Sequence, residues 1–272
     1  MSSQDRISVT FEGGVADVRL TRADKMNALD DRMFNALIEA GERLKTRAGL
    51  RAVVLSGEGR AFCAGLDMGN FGRMASGEPR GSERLVMTER TPGGSNVAQH
   101  AAMVWREIPV PVIAAVHGVA FGGGFQLTLG ADMRYVTPDA RLSVMEIKWG
   151  LVPDMAGLVL MRNLARDDVV RELTYTGRQF SGEDALRYGF ATRVCADPRA
   201  EALATAAEIA GKSPHAIRGG KRLLDLAVSG AGQHEILLAE SKEQTALIGS
   251  PNQVEAVMSQ MEKRAARFVD VT

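Results

Sequence analysis

Residues 109–129, PVPVIAAVHGVAFGGGFQLTL, carry the clearest structural signal in the chain. Val110–Val116 is a short, continuous apolar run, which is typical of a strand buried on both faces. The triple glycine Gly122–Gly124 interrupts the apolar pattern, and apolar residues resume after it. We therefore predict a buried strand, a tight glycine-rich loop and a buried helix, in that order.

The alternation of strand and helix continues on both sides of this stretch. Residues 7–20 alternate apolar and polar around a glycine pair, which predicts a β-hairpin. A helix is predicted from a cap at Asn27 or Asp30 to about Thr46. Further strands are predicted at Ala52–Ser56, Met133–Val136 and Leu142–Val144. Strands that alternate with helices favour an α/β fold.

The region after about residue 200 is predicted to be helical throughout. The four predicted helices are Ala200–Gly211, His215–Ser229, His234–Leu247 and Asn252–Phe268. Their apolar faces need a partner, either the core or another subunit. We therefore predict a core over residues 1–200 and a helical appendage over residues 201–272.

Composition excludes several classes of protein. The formal net charge is zero, so nothing indicates a nucleic-acid partner or a membrane surface. Cys63 and Cys195 are the only cysteines, and their spacing fits neither a disulfide framework nor a structural zinc site. The polar N-terminus lacks the layout of a signal peptide. A cytoplasmic location is the simplest expectation.

Two segments have alternative interpretations. Ile108–Ala131 carries no formal charge and is long enough for a membrane span, but its prolines and glycines would interrupt a spanning helix. The polar segment Gly69–Asn96 is expected to be a lid or a surface loop, with Arg73, Arg80 and Arg84 on a solvated face.

Three local sequences are candidates for chemistry: Ala61–Asp67, His117–Leu127 and Met145–Asp154. A glycine-rich turn before a helix leaves backbone N–H groups free, and those donors favour negative charge. The glycine spacing fits neither the dinucleotide fingerprint nor a Walker phosphate loop. Met145–Asp154 places two carboxylates, Glu146 and Asp154, in an otherwise apolar segment.

Taken together, these segments resemble the crotonase superfamily, the enoyl-CoA hydratase/isomerase group. The matching pieces, in the family's order and spacing, are Asn27-Ala28-Leu29, Ala61–Asp67, Pro111–Gly118, Gly122–Gly124, Ala131-Asp132, Glu146 with Gly150–Pro153, and Leu173–Gly177. The resemblance implies a spiral of repeated ββα units, with a helical tail that assembles trimers or dimers of trimers.

The resemblance also implies an acyl-CoA site. The thioester carbonyl would lie between the backbone N–H groups of Leu66 and Gly123, which would stabilise the enolate formed by removal of an α-proton. Ala64, Gly65 and Asp67 resemble the segment that holds CoA. Gly122 and Trp149 are also expected to contact the substrate. No metal or other cofactor is expected, because CoA enters as part of the substrate.

The choice of reaction depends on two positions. Family hydratases use two glutamates to activate water; here Glu146 matches one, and Gln126 replaces the other. Gln126 can orient water but cannot accept a proton at neutral pH. Family Δ3,Δ2-enoyl-CoA isomerases use one glutamate at the position of Glu146. An apolar setting would raise the pKa of Glu146 and suit it to general acid–base catalysis.

Asp154 adds a third candidate catalytic group. Dienoyl-CoA isomerases of the family place an aspartate here, paired with the glutamate, although they also carry an acidic residue at the position of Gln126. Asp154 following a proline is alternatively a turn residue or a helix cap. Glu146 is alternatively a structural partner of Lys148 or Arg141. Competing interpretations also make Gln126 a buried helical polar residue and Trp149 part of the core.

Isomerisation through Glu146, with Asp154 as a second group, is the favoured hypothesis. Hydration with Gln126 positioning water is the alternative, and a CoA-thioester binder without chemistry is a further one. A peptidase of the related Clp fold would need an exposed serine beside a histidine base, and none of the four histidines has such a setting.

Overall fold

The computed structural model describes residues 6–75 and 90–271. The description does not include residues 76–89, which contain Arg80 and Arg84, or the side chain of Arg73. The expected lid or loop is therefore described only in part. The nine described strands are β1 (Ile7–Glu12), β2 (Val15–Leu20), β3 (Ala52–Gly57), β4 (Val112–Val116), β5 (Val119–Phe121), β6 (Met133–Val136), β7 (Arg141–Ser143), β8 (Phe180–Ser181) and β9 (Arg193–Val194).

Eleven α-helices lie in the described ranges. They are α1 (Asp31–Lys45), α2 (Met68–Ala75), α3 (Val97–Arg106), α4 (Gly123–Leu129), α5 (Gly157–Met161), α6 (Asp167–Thr176), α7 (Gly182–Tyr188), α8 (Pro198–Ala210), α9 (Pro214–Val228), α10 (Gln233–Leu247) and α11 (Pro251–Met261). Helix α1 is capped by Asp30, whose side chain accepts a hydrogen bond from the Met33 amide. Asn27, the other predicted cap, is buried with a positive φ of 55°.

A six-stranded sheet forms the centre, in the order β1-β2-β3-β4-β6-β9. Strands β1 and β2 are antiparallel and form the predicted hairpin, whereas the other neighbours are parallel. A smaller sheet has the order β5-β7-β8, with β5 and β7 parallel. The predicted α/β class is confirmed.

The core lies on both faces of the central sheet. Alternate residues of β3 enter different clusters, since Val53 and Leu55 pack on one side and Ala52 and Val54 on the other. The second cluster is covered by α8, whose Ala202 and Ala206 are fully buried. Helix α8 crosses the predicted boundary at residue 200 and packs on the core sheet. The division of the chain into a core and a helical appendage stays a prediction.

The helical tail is fastened to the core by a buried lysine. Lys221 of α9 donates to the Val110 carbonyl oxygen (3.0 Å) and to the Asp132 carboxylate (2.8 Å). Asp132 also accepts from the Val112 amide at the start of β4 (2.8 Å). Removing one member of such a buried pair leaves an unpaired charge. This contact therefore holds α9 to the start of β4.

Two details differ from the sequence-based expectations. A short strand, β5, lies between β4 and the triple glycine, because Val119–Phe121 pairs with β7. The last helix was predicted to reach Phe268 but ends at Met261. Beyond it the chain turns back at Lys263 (φ 53°), and Asn252 of α11 exchanges two hydrogen bonds with Val269, which fixes the returning segment along the helix.

Among the described residues, no helix combines the length and the apolarity that a bilayer crossing requires. The uncharged segment Ile108–Ala131 consists instead of strands β4 and β5 and helix α4, as the prolines and glycines indicate. The interpretation as a membrane span is therefore wrong.

Candidate active site

Two glycine-containing loops lie side by side at the carboxyl ends of β3 and β5. Cys63 pairs with the strand before the triple glycine, donating its N–H to Val119 O and accepting from Phe121 N (both 3.1 Å). Gly65 has φ +88°, and a Cβ built on it would lie 2.5 Å from Phe121 O and 3.9 Å from Gly123 N. Only glycine therefore allows the loops to approach this closely.

The amides of Leu66 and Gly123 are the two predicted oxyanion donors. The neighbours of Leu66 pair with Leu29: Gly65 O accepts from Leu29 N (2.8 Å) and Asp67 N donates to Leu29 O (3.1 Å). Gly123 opens α4, where helical N–H groups have no intrahelical acceptor. Within the part of the chain that the structure describes, neither amide has a hydrogen-bond acceptor.

Glu146 lies against this glycine-rich loop. It begins a 3-10 turn, Glu146–Trp149, and is 8% exposed. A Cβ built on Gly122 would lie 3.1 Å from Glu146 Oε1. Arg141 bonds instead to Gln179, and no ion pair joins Glu146 to Arg141 or Lys148 in the described residues, so the alternative interpretation as a structural ion pair is wrong.

Gln126 is fully buried on α4 and connects Glu146 to the next turn of the chain. Its Nε2 donates to Glu146 Oε1 (2.6 Å). Its Oε1 accepts from the amides of Met155 (2.9 Å) and Gly157 (3.0 Å). Ala156, between these two amides, has a left-handed φ of 62°, which turns both N–H groups toward one oxygen. Gln126 is therefore a buried helical polar residue that also holds Glu146.

Burial raises the pKa of the Glu146 carboxyl. The hydrogen bond from Gln126 acts in the opposite direction, and the negative charge of Asp154 adds to the rise. Glu146 Oε2 is buried and has no hydrogen-bond partner among the described residues. One carboxylate oxygen is thus held in place, while the other is left for a ligand.

Asp154 is exposed and directly precedes the turn whose Met155 and Gly157 amides donate to Gln126. It is close enough to Glu146 for its charge to raise the Glu146 pKa. Helix α5 begins at Gly157 with Ala156 in the cap position, so the expectation that Asp154 caps a helix is wrong. The structure therefore brings Glu146, Gln126, Gly122 and Asp154 together.

The remaining predicted site residues lie around the two loops. Trp149 is 40% exposed, and the Lys148 ammonium lies 5.3 Å from its ring centroid, so the core-packing interpretation of Trp149 is wrong. The half-buried Ala64 donates its N–H to Met26 O (2.9 Å). The Asp67 carboxylate accepts from Arg22 (2.6 Å), a contact that no local sequence pattern indicates.

One further cluster, between α1 and α3, has the composition of a metal site. Glu42, His100 and Glu107 bring potential ligand atoms within 4.8 Å of one another. The Lys45 ammonium already bonds to both carboxylates, at 2.7 Å from Glu42 Oε1 and still closer to Glu107. Lys45 thus supplies the cation, and the cluster is a surface ion-pair network.

Comparison with known proteins identifies the family of the chain. A family model described as enoyl-CoA hydratase/isomerase matches residues 10–271. The mitochondrial Delta(3,5)-Delta(2,4)-dienoyl-CoA isomerase of Mus musculus is 33% identical over 211 residues, 76% of this chain but only 64% of the mouse protein. The probable enoyl-CoA hydratase echA6 of Mycobacterium leprae is 31% identical over 96% of this chain and 98% of its own length.

The fold has solved counterparts as well. The crystal structure of an enoyl-CoA hydratase from Bacillus anthracis superposes with a TM-score of 0.86 at 26% identity, covering 97% of this chain and 98% of the other. The crotonase-like fold expected from the sequence is thereby confirmed.

Proposed function

This chain belongs to the enoyl-CoA hydratase/isomerase family, and we propose that it is an enoyl-CoA isomerase that moves a double bond through a thioester enolate. The proposed substrates are 3-enoyl-CoA or 3,5-dienoyl-CoA thioesters. CoA enters with the substrate, and no further cofactor is part of the proposal.

One observation favours an isomerase over a hydratase. Gln126 occupies the position where a hydratase would have its second water-activating carboxylate, and the acceptor oxygen of this amide is already bonded. The oxygen of Gln126 already accepts two backbone hydrogen bonds, and its nitrogen donates to Glu146. Gln126 therefore offers no base to a water molecule. A single carboxylate remains, which suffices when one group removes and returns the same proton.

The reaction then proceeds in two proton transfers. The thioester carbonyl oxygen accepts from the amides of Leu66 and Gly123, and Glu146 removes a proton from C2, which leaves a dienolate. Protonated Glu146 returns the proton to C4, and the electrons re-form the carbonyl with the double bond now between C2 and C3. The raised pKa of Glu146 supports both roles, since a carboxyl with a pKa nearer neutrality both accepts and donates a proton readily.

The dienoyl version of the reaction uses Asp154 as well. A 3,5-dienoyl substrate requires proton delivery farther along the acyl chain than C4, and a second carboxyl in the exposed turn would serve that position. The similarity to the mouse dienoyl-CoA isomerase supports this version. The charge of Asp154 also supports it, because that charge raises the pKa of Glu146 and so shows that a second carboxyl lies close to the first.

The direct test compares three thioesters of matched chain length: 3-enoyl-CoA, 3,5-dienoyl-CoA and 2-trans-enoyl-CoA. We expect conversion of one or both of the first two and little water addition to the third. Rapid hydration of the 2-trans substrate with slow isomerisation of the others would overturn the proposal. Tight binding of all three without turnover would instead favour the non-catalytic thioester binder.

Replacing Gln126 with glutamate tests the competing hydratase assignment, which is favoured by the similarity to the probable hydratase of Mycobacterium leprae and the hydratase of Bacillus anthracis. Gln126→Glu keeps an acceptor for Met155 N and Gly157 N but places a second carboxylate beside Glu146. We expect hydration of 2-trans-enoyl-CoA to rise on the order of a hundredfold, the typical value of one acid–base group. The comparison variant is Gln126→Leu, which fills similar space without an acceptor and should gain no hydration. If Gln126→Glu hydrates no faster than the wild type, the amide is not what suppresses water addition.

Removing the charge of Asp154 tests its part in the proton transfer. Asp154→Asn should slow the dienoyl reaction about a hundredfold and the 3-enoyl reaction little. Because the charge of Asp154 raises the pKa of Glu146, its loss lowers that pKa. Glu146 must be ionised to remove a proton, so the acidic limb of the kcat/KM profile for 3-enoyl-CoA should move to lower pH. Equal losses on both substrates, with an unmoved limb, would remove Asp154 from the mechanism.

We also propose that the protein assembles as a homotrimer or a dimer of trimers in the cytoplasm. Support for the assembly comes from large apolar residues that are exposed on the described part of the helical tail. They include Leu224, Leu237, Ile248, Val254 and Met261. Sedimentation or light scattering would distinguish the two assemblies from a monomer.

A further inference from the structure

An ion pair lies beside the Leu66 amide and belongs to neither of the predicted catalytic carboxylates. Arg22 Nη1 donates to Asp67 Oδ2 (2.6 Å) and to the Ala28 carbonyl oxygen (3.0 Å). The Arg22 side chain is only 14% exposed. A guanidinium in this position holds two separate segments at a fixed distance from each other.

Those two segments are the ones that orient the Leu66 amide. Leu29 and Leu66 pair as a single parallel bridge, made through Gly65 O and Asp67 N. Arg22 bonds to the residue before Leu29 and to the residue after Leu66. The guanidinium therefore connects the two segments directly next to the bridge.

Each oxygen of the Asp67 carboxylate accepts a hydrogen bond from within the protein. Its Oδ1 accepts from the Gly69 amide (2.8 Å) at the start of α2, while Oδ2 accepts from Arg22. Burial raises the pKa of Asp67, but the bonds from Gly69 and Arg22 outweigh it and hold the pKa below its ordinary value. Asp67 is consequently an ionised group near neutral pH that is held in place by both bonds.

We propose that Arg22 is a positioning residue that acts through Asp67 to aim the Leu66 N–H at the thioester oxygen. This proposal rests on the proposed function, since it requires a carbonyl oxygen between the two amides. The physical reason is that a preorganised donor stabilises developing charge without reorganisation, and small misplacements cost rate. Substrate binding depends on many other contacts and should change much less.

The first test is kinetic. Arg22→Met removes both bonds while retaining an apolar stem, and kcat should fall about tenfold to a hundredfold, less than the roughly 10²- to 10³-fold loss from removing a donor outright. The dissociation constant for a saturated acyl-CoA should change less than about threefold, because ground-state binding is spread over the whole CoA group. Arg22→Lys keeps the charge but cannot bridge two acceptors in the same way, so its kcat should be intermediate.

A matched control separates positioning from loss of stability. Arg6 pairs with Asp30 in the same network at similar exposure (19%, against 14% for Arg22), whereas Arg22 pairs with Asp67. Arg6→Met should therefore match the thermal destabilisation of Arg22→Met while retaining kcat. If both variants lose kcat equally, the effect is general and the proposal fails.

Vibrational spectroscopy gives a readout that a merely structural role would not move. A saturated acyl-CoA labelled with carbon-13 at the thioester carbonyl should show a lowered C=O stretching frequency when bound, because two donors polarise the bond. Arg22→Met should lose part of this shift, whereas Glu146→Gln should retain it. An unchanged shift in Arg22→Met would overturn the positioning role, and no shift in the wild-type protein would overturn the proposed function itself. Should Arg22→Met fail to fold, Asp67→Asn weakens the same contact and must give the same partial loss.

Discussion

Glu146→Gln is expected to abolish isomerisation while leaving acyl-CoA binding intact. The variant keeps the size of the side chain and the contact with the glycine-rich loop but cannot accept a proton. We expect kcat to fall by about 10²- to 10⁴-fold, the range typical of a general acid–base group. Loss of C2 deuterium from a labelled saturated acyl-CoA should fall in parallel, since it needs the same base and no double-bond migration.

Two controls make this result interpretable. Glu172→Gln removes an exposed glutamate on α6 that pairs with Arg178, and it should leave turnover unchanged. Isothermal titration with a saturated acyl-CoA should give similar affinities for Glu146→Gln and the wild type. Turnover by Glu146→Gln at the wild-type rate would falsify the assignment of Glu146 as the proton carrier.

The stability of the same variant follows from the raised pKa of Glu146. The Glu146 carboxyl has a higher pKa in the folded protein than in the unfolded chain. At pH values between these two pKa values, the folded protein therefore binds more protons than the unfolded chain does. Folding stability is therefore lost as pH rises through that window. Glu146→Gln removes this loss of stability. Its melting temperature should therefore exceed that of the wild type at pH values above this range and be close to it at pH values below the range. A variant less stable at every pH would indicate that Glu146 holds the fold together.

Gly65→Ala is expected to cause the second large loss, through geometry alone. A Cβ at residue 65 would lie 2.5 Å from the Phe121 carbonyl oxygen, so the loops carrying Leu66 and Gly123 must separate. Misaligning one oxyanion donor is expected to cost about 10²- to 10³-fold in kcat. The carbonyl frequency of a bound thioester should return toward its value in solution.

The chain contains a matched control for this substitution. Gly94 has φ +85°, close to the +88° of Gly65, but a Cβ there would meet nothing within 4 Å. Gly94→Ala should therefore suffer the same backbone strain, about 1–2 kcal/mol, without loss of activity. Equal kinetic losses in both alanine variants would show that strain, and not loop separation, is responsible.

Much of the scaffold was predictable from local patterns. The continuous apolar run Val110–Val116 contains β4, and the triple glycine leads into α4 as predicted, whereas the short strand β5 between them depends on pairing with β7 and was missed. Helix α1 was also predictable, although two caps were open until the structure showed Asp30 bonded to Met33 N. Asn27 was excluded because its side chain is used elsewhere, donating to the carbonyls of Glu58 and Ala61.

The contacts that define the candidate site were not predictable in the same way. Gln126 bonds to residues 20, 29 and 31 positions away, and Arg22 pairs with Asp67 45 positions away. No periodicity records contacts over such separations, since they depend on how the loops meet in three dimensions. The end of α11 was missed for a related reason. Amphipathic spacing continues past Met261, but the hydrogen bonds between Asn252 and Val269 favour a chain reversal.

The left-handed turn at Ala156 has a consequence for how this activity arises and changes in evolution. The converging amides of Met155 and Gly157 on either side of it donate to the Gln126 oxygen and would donate to a glutamate oxygen as well, because both residues present an acceptor at the same distance along the side chain. Glutamine and glutamate codons differ by one nucleotide. A lineage can therefore exchange an amide for an acid at residue 126 in one mutational step that keeps both backbone hydrogen bonds. The new carboxyl would face Glu146 Oε1, where the Gln126 amide now donates at 2.6 Å, so one of the two carboxyls would have to carry a proton.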